Sequence, residues 1–346
     1  MTLRQRMPTR RFEFRRFGFA NQSEKKRECS CPFGGRRVHP LMLKLIARQL
    51  VRGLLMLFVV SVITFALLSA AGGDALSGLR DNPQISERTI DQLREVYGLD
   101  RPIIVRYGAW LGNAARGELG DSMAFRIPVA SLVWSRLLNT LLMGMIAFLI
   151  SIVVSVGLSV WTVRLNSKWL DRAVEALIFV TASTPRIVLA LVALLVSMSL
   201  VTVSSNYAFQ LIAGSIVLAV PLISILLAQL KGSLEEVMSE DFIRTARAKG
   251  LPEWSVVGKH ALRTALSPFL TIAGLSLGGL LGGSVIVESV LGWQGIGALM
   301  VSAVRGRDVP VVMAVVLVAS AAVWLGNAMA ELLQFANDAR IRTGER

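Results

Sequence analysis

An all-α polytopic membrane protein with six transmembrane helices is the fold this sequence predicts, and three observations predict it. Of its 346 residues, 53% are hydrophobic and only 17% charged, against about 25% charged in a soluble domain. Six apolar runs, at 51–71, 138–162, 174–200, 208–230, 266–287 and 309–333, each approach the ~20 residues a helix needs to cross a bilayer. Basic residues gather in the first 52 positions and in short loops between the runs, the pattern that sets topology. The formal charge of +14 therefore points to a lipid bilayer, with no nucleic acid, whose phosphates call for a basic patch.

Residues 1–41 form a basic leader, Arg-rich and apolar-poor, expected to be disordered and cytoplasmic. A polybasic membrane-surface segment is the alternative. Cys29 and Cys31, with His39 as the one nearby histidine, are too sparse for a zinc site or a disulfide framework. Met42-Leu43-Lys44-Leu45-Ile46 reads as a natural start, which would make the leader an artefact of start-site choice. The first transmembrane helix, 42–71, closes on Ser69-Ala70-Ala71 like a cleavage site. Its apolar run exceeds the roughly 7–15 residues of a signal core, so it is read as an uncleaved anchor.

Residues 72–137 are expected to be an extracytoplasmic loop with short amphipathic helices. Ser86 caps one, in which Ile90, Leu93, Val96 and Tyr97 share a face and Gly98 is the stop. A second runs from Pro102 through Tyr107, Trp110 and Leu111, with aromatics suited to headgroup depth. Residues 138–335 form the membrane core, interrupted by a charged loop at 231–265, and 336–346 are a tail.

Orientation follows from charge in the short loops. Arg48 and Arg52 before the first span, Arg164, Lys168 and Arg172 between the second and third, and Arg340, Arg342 and Arg346 at the end would all be cytoplasmic. The uncharged connection 202–206 suits the opposite side. By alternation the loop 231–265 and both termini face the cytoplasm.

Within that loop, Glu240 to Lys249 spans two to three helical turns, with Gly250 as a left-handed stop and Pro252 starting a second helix. Glu240 and Asp241 at the start and Arg244, Arg247 and Lys249 at the end match the helix dipole. Taken alone, dipole matching accounts for these charges.

The stretch Ser239 to Leu251, followed by Lys259 to Pro268, resembles the coupling loop of ATP-binding cassette importer permeases of the dipeptide, oligopeptide and nickel branch, in their B-type inner-membrane subunit. Tyr97 to Pro102, Gly117 to Ser122, Arg307-Asp308-Val309-Pro310 and Asp338 to Arg342 resemble further segments of that family. The family's Glu-Ala-Ala signature reads Arg244-Thr245-Ala246 here, with Gly250 retained, and its Pro-Gly pair after span five reads Gln294-Gly295.

The resemblance implies a type I importer permease fold in a bacterial inner membrane, forming half of a pathway for di- or oligopeptides. It also implies a second homologous permease, two cytoplasmic ATPase subunits and an extracytoplasmic substrate-binding protein as partners. Glu240, Asp241, Arg244, Thr245, Ala246, Arg247 and Gly250 would form the ATPase-coupling loop. The chain holds no Gly-x-x-x-x-Gly-Lys-Ser/Thr phosphate loop, so ATP hydrolysis falls to partners and no catalytic residue or cofactor is assigned.

Gly274, Gly278, Gly279, Gly282 and Gly283 in span five are expected to let helices approach closely. Pro185 is expected to kink span three near its middle. Arg186 would then border the translocation pathway and favour a substrate carboxylate, or pair within an interface. Pro221 is read as a kink in span four, and Glu288 as a solvated acid near the outer interface, with a gate or a binding-protein contact the alternative. Nickel or another small solute is the second reading of the cargo, although the spans lack clustered metal ligands. A secondary transporter would show intramembrane acids and related halves, and neither is found.

Overall fold

The computed structural model describes residues 40–70, 88, 101–199 and 206–337. The leader cysteines, most of the predicted helix at 86–98 and the motif at Asp338 to Arg342 lie outside the described residues. Those residues are helical apart from turns and an isolated bridge between Asp121 and Pro128. In chain order the helices are α1 Pro40–Ala70, α2 Ile103–Ala115, α3 Val129–Leu165, α4 Lys168–Ser183, α5 Arg186–Ser199, α6 Tyr207–Met238 and α7 Asp241–Ala248. Then follow α8 Glu253–Leu291, α9 Ile296–Arg305 and α10 Val309–Asn337.

Five of these, α1, α3, α6, α8 and α10, are long and apolar enough to cross a membrane by themselves. The sixth span becomes a bent pair. Helices α4 and α5 meet at 94° across a short break, so the expectation of one span at 174–200, kinked near its middle, is corrected. Proline drives residue i−1 out of the helical region, and Thr184 is extended at φ −86°, ψ 117°. The Pro185 carbonyl instead accepts from the Val188 and Leu189 amides and opens a new helix. Pro221, by contrast, lies inside a continuous α6.

Serine and glycine decide how closely the spans approach. Along α3, Ser151, Ser155 and Ser159 recur every four residues and are fully buried. Ser151 Oγ donates to the Ala147 carbonyl of its own helix and to Ala219 of α6, and Ser155 Oγ donates to Ile223 of α6. Ser215 of α6 donates back to Met143 of α3. Such pairs satisfy polar groups where lipid offers none and let backbones come close.

On α8 a side chain at Gly274 would strike Ala330 of α10, and one at Gly278 would meet Val323 at 3.1 Å. Gly53 of α1 lies under the ring of Trp324, whose Nε1 donates to the Gln49 carbonyl. Outward faces are apolar, as at Leu54, Leu55, Val153 and Phe179, which suits contact with acyl chains.

Candidate functional site

At one end of the bundle α6 runs past its apolar stretch to Met238, and α7 folds back beneath it. Ile243 is fully buried and Ala246 nearly so, joining Leu230 and Leu234 of α6 and Val256 of α8 in one apolar cluster. The opposite face is wet. Asp241 and Arg244 form an exposed i,i+3 pair at 3.3 Å, and Thr245 Oγ1 donates to the Asp241 carbonyl. Glu240 precedes the helix in extended conformation. Two aromatics, Phe242 at 44% and Trp254 at 65% exposure, stand bare beside these charges.

The exit from α7 is fixed by three contacts. Gly250 adopts φ +76°, where a side chain is disfavoured, and its amide donates to Arg247 while Leu251 reaches back to Ala246. Arg247 forks onto Glu253, Nη2 to Oε1 at 2.6 Å and Nε to Oε2 at 3.4 Å. That bond to Glu253 raises the guanidinium above its already high range. The first residue of α8 thus holds the last turn of α7.

The second surface helix expected after Pro252 is the foot of α8 itself. Only a six-residue π turn, Val256–Ala261, intervenes before the span continues. The helix that carries span five therefore starts at Glu253, ahead of the apolar run at 266–287, and α7 is joined to this membrane-crossing rod through the short link Lys249-Gly250-Leu251-Pro252. A sequence scan misses the π turn, because an inserted residue shifts the apolar register without adding a signal of its own.

A second polar knot ties α4 to α6. Lys231 has a 7% exposed side chain and pairs with Asp171 at 2.6 Å, Glu175 at 3.0 Å and Glu235 at 3.4 Å. Beside it a cavity of about 490 Å³, lined by Arg164, Lys168, Asp171, Glu235, Arg247 and Glu253 among others, separates the α3–α4 turn from α7.

Arg186 opens α5 at the break rather than lying in mid-span, and its guanidinium lies directly over Gly283 of α8. The structure brings these two predicted residues together. Gly279 and Gly282, from the same set, are exposed and face open space.

At the far end Glu288 is fully buried, which corrects the expectation of a solvated acid. Its Oε1 accepts from Thr140 at 2.7 Å, and its Oε2 accepts from the Gly297 and Ala298 amides that open α9. Asp308 is likewise buried, accepting from Ser122 Oγ at 2.6 Å, the Ala124 amide and the Val311 amide. A helix N-terminus attracts negative charge, and each acid serves one. Their partners lie up to 186 residues away in the chain, so no local pattern announced them.

The model of a family described as "Binding-protein-dependent transport system inner membrane component" matches residues 154–343, and its N-terminal companion matches 42–143. A putative peptide permease protein of Brucella suis is 33% identical over 317 residues, 87% of this chain and 99% of the relative. The oligopeptide transport system permease protein AppB of Bacillus subtilis is 32% identical, over 86% of this chain and 98% of its own. The glutathione transport system permease protein GsiC of Escherichia coli is 32% identical, over 87% and 99%. The inward-facing MetNI methionine ABC transporter structure aligns with 63% of this chain and 96% of its own at 26% identity, with a TM-score of 0.46, a likeness too loose to carry detail. Matched from residue 42 almost to its end, and along nearly the full length of these relatives, the chain belongs to the binding-protein-dependent transport system inner membrane components, the membrane permease subunits of ATP-binding cassette importers.

Proposed function

We propose that this chain is the peptide-conducting permease of an importer, and that α7 is the lever through which ATPase subunits move it. The chain pairs with a second, homologous permease, two cytoplasmic ATPases and an extracytoplasmic binding protein. Both termini and α7 face the cytoplasm. The relatives above carry peptide, oligopeptide or glutathione in their names, which favours peptide over nickel as cargo. Chemistry stays with the ATPases, and this subunit conducts.

One observation carries the lever: α7 buries Ile243 and Ala246 against the feet of α6 and α8 while baring Phe242, Asp241 and Arg244. An exposed ion pair is worth only ~0.2–1 kcal/mol, so the charges add little to folding and remain available to a partner. Load applied to the bare face passes into α8 through the Arg247–Glu253 fork and the Pro252 start. Rigid-body transmission of this kind suits switching between inward-open and outward-open states.

At the broken span, the Arg186 guanidinium has no acid partner among the described residues. A charge placed at membrane depth faces protein or water, so Arg186 and Pro185 are assigned to the pathway wall, with a peptide carboxylate as the favoured contact.

Copurification tests the lever. In a scrambled 240–251 segment, and in Gly250→Val alone, the permease should reach the membrane at normal levels but lose its ATPase subunits. Full retention of the ATPase by the scrambled variant would contradict the docking role.

A further inference from the structure

At the end opposite α7, a cavity of about 330 Å³ opens between α9, the α8–α9 turn and the start of α3. Its apolar wall includes Phe125, Trp293 and Leu299, and two arginines, Arg136 and Arg305, line it. Among the described residues neither guanidinium has an acid partner. Two acids at this end are already engaged: both oxygens of Glu288, which also borders the cavity, accept from Thr140 and the amides of α9, and Asp308 holds the 122–124 turn and the start of α10.

Arg126, next to Phe125 in the chain, and Arg307, in the turn before Asp308, both hold positive φ, at 53° and 52°. Non-glycine residues rarely adopt that conformation, and such strain gathers at working sites. Under the orientation proposed above Arg136 and Arg305 face outward, and an anionic ligand would supply the partner that each lacks among the described residues.

We infer that this cavity is a carboxylate site at the outer mouth, taking the C-terminal carboxylate of the peptide cargo between Arg136 and Arg305 and its last side chain against Phe125 and Leu299. The inference rests on the peptide-importer reading. Shape favours a small ligand over a docked protein: a volume near 300 Å³ is the lower range of ligand pockets, and a protein face would need no concavity. Guanidinium is the side chain suited to this task, because its planar fork matches both oxygens of a carboxylate.

The test uses the assembled importer in proteoliposomes, with Cys29→Ser and Cys31→Ser, and Ser302→Cys as an exposed reporter on the cavity wall. Labelling by an anionic methanethiosulfonate should outpace labelling by its cationic analogue. The tripeptide Ala-Leu-Phe should protect the cysteine, and its C-terminal amide should need about tenfold more, the worth of one charge-assisted hydrogen bond. Arg136→Gln with Arg305→Gln should erase both differences, whereas the paired Arg→Lys variants should keep the preference for the anionic reagent, which separates charge from a folding defect.

Equal protection by acid and amide, or a preference that survives the Gln variants, would overturn the site. Protection by ligand-free binding protein alone, relieved by salt, would make the rim a docking surface for an acidic protein and overturn it equally. Uptake of labelled tripeptide by the unmodified importer separates the two levels. No uptake sinks the peptide reading, while uptake with indifferent protection sinks only the carboxylate site.

Discussion

Gly283 and Arg186 show how one missing side chain sets the place of a charge. A methyl at Gly283 would occupy the space of the Arg186 guanidinium, so the arginine lies against α8 only because position 283 is bare. Gly283→Leu should expel it and, by overpacking, cost about 1–3 kcal/mol. Peptide uptake and the thermal midpoint of the purified complex should both fall, whereas Arg186→Ala, which removes the charge without crowding, should lower uptake more than stability. Equal and unchanged uptake in both would remove Arg186 from the pathway wall. That Arg186 is out of the ordinary was legible in the sequence, as a cation inside an apolar run. Its neighbour was not, since Gly283 stood among five similar glycines and nothing local set it apart. Glu288 was misread for a related reason. Beyond an apolar run an acid looks wet, and only the distant Thr140 and the amides of α9 reveal that it is buried.

At the level of helices, hydropathy located the runs well and their geometry poorly. The runs behind α1, α3, α6, α8 and α10 were each legible because twenty apolar residues have few other uses. The right-angle break between α4 and α5 was not, because a hydropathy window records composition and is blind to direction. Pro185 signalled a disturbance, but a proline within a span produces either a kink or a stop, and neighbouring packing decides which. The extension of α8 down to Glu253 was hidden by its charged first turns, which read as loop. The α4 half of the broken segment is tied to α6 by the Lys231 knot, built from Asp171 and Glu175 on α4 and Glu235 on α6. Lys231→Met should free α4 and leave three acids facing one another. The cost should be about 1–2 kcal/mol, below the ~3–5 of a fully buried pair because the acids remain roughly half exposed. A lower unfolding midpoint by scanning fluorimetry, restored in part by Glu175→Gln, would support the knot. An unchanged midpoint would count against it.

For the whole molecule, the chain divides its polar work between two ends. One end carries α7 and the Arg247–Glu253 fork, and the other carries the buried acids that seat α9 and α10. Between them Gly274, Gly278 and Gly283 are consumed by contacts within the subunit, while Gly279 and Gly282 stay bare on the same helix. Small residues left exposed in a span favour a close approach by another helix, and the second permease is the partner assigned here. Gly279→Leu with Gly282→Leu should therefore leave the isolated subunit as stable as before and weaken its copurification with that permease. Loss of subunit stability with pairing intact would reverse the assignment. The central claim, that α7 is pushed by an ATPase, is tested most directly by a photo-cross-linking amino acid at Phe242 in native membranes, followed by identification of the adduct. Capture of an ATPase subunit is the predicted result; capture of an extracytoplasmic protein, or of lipid alone in a complex that still hydrolyses ATP, would contradict it.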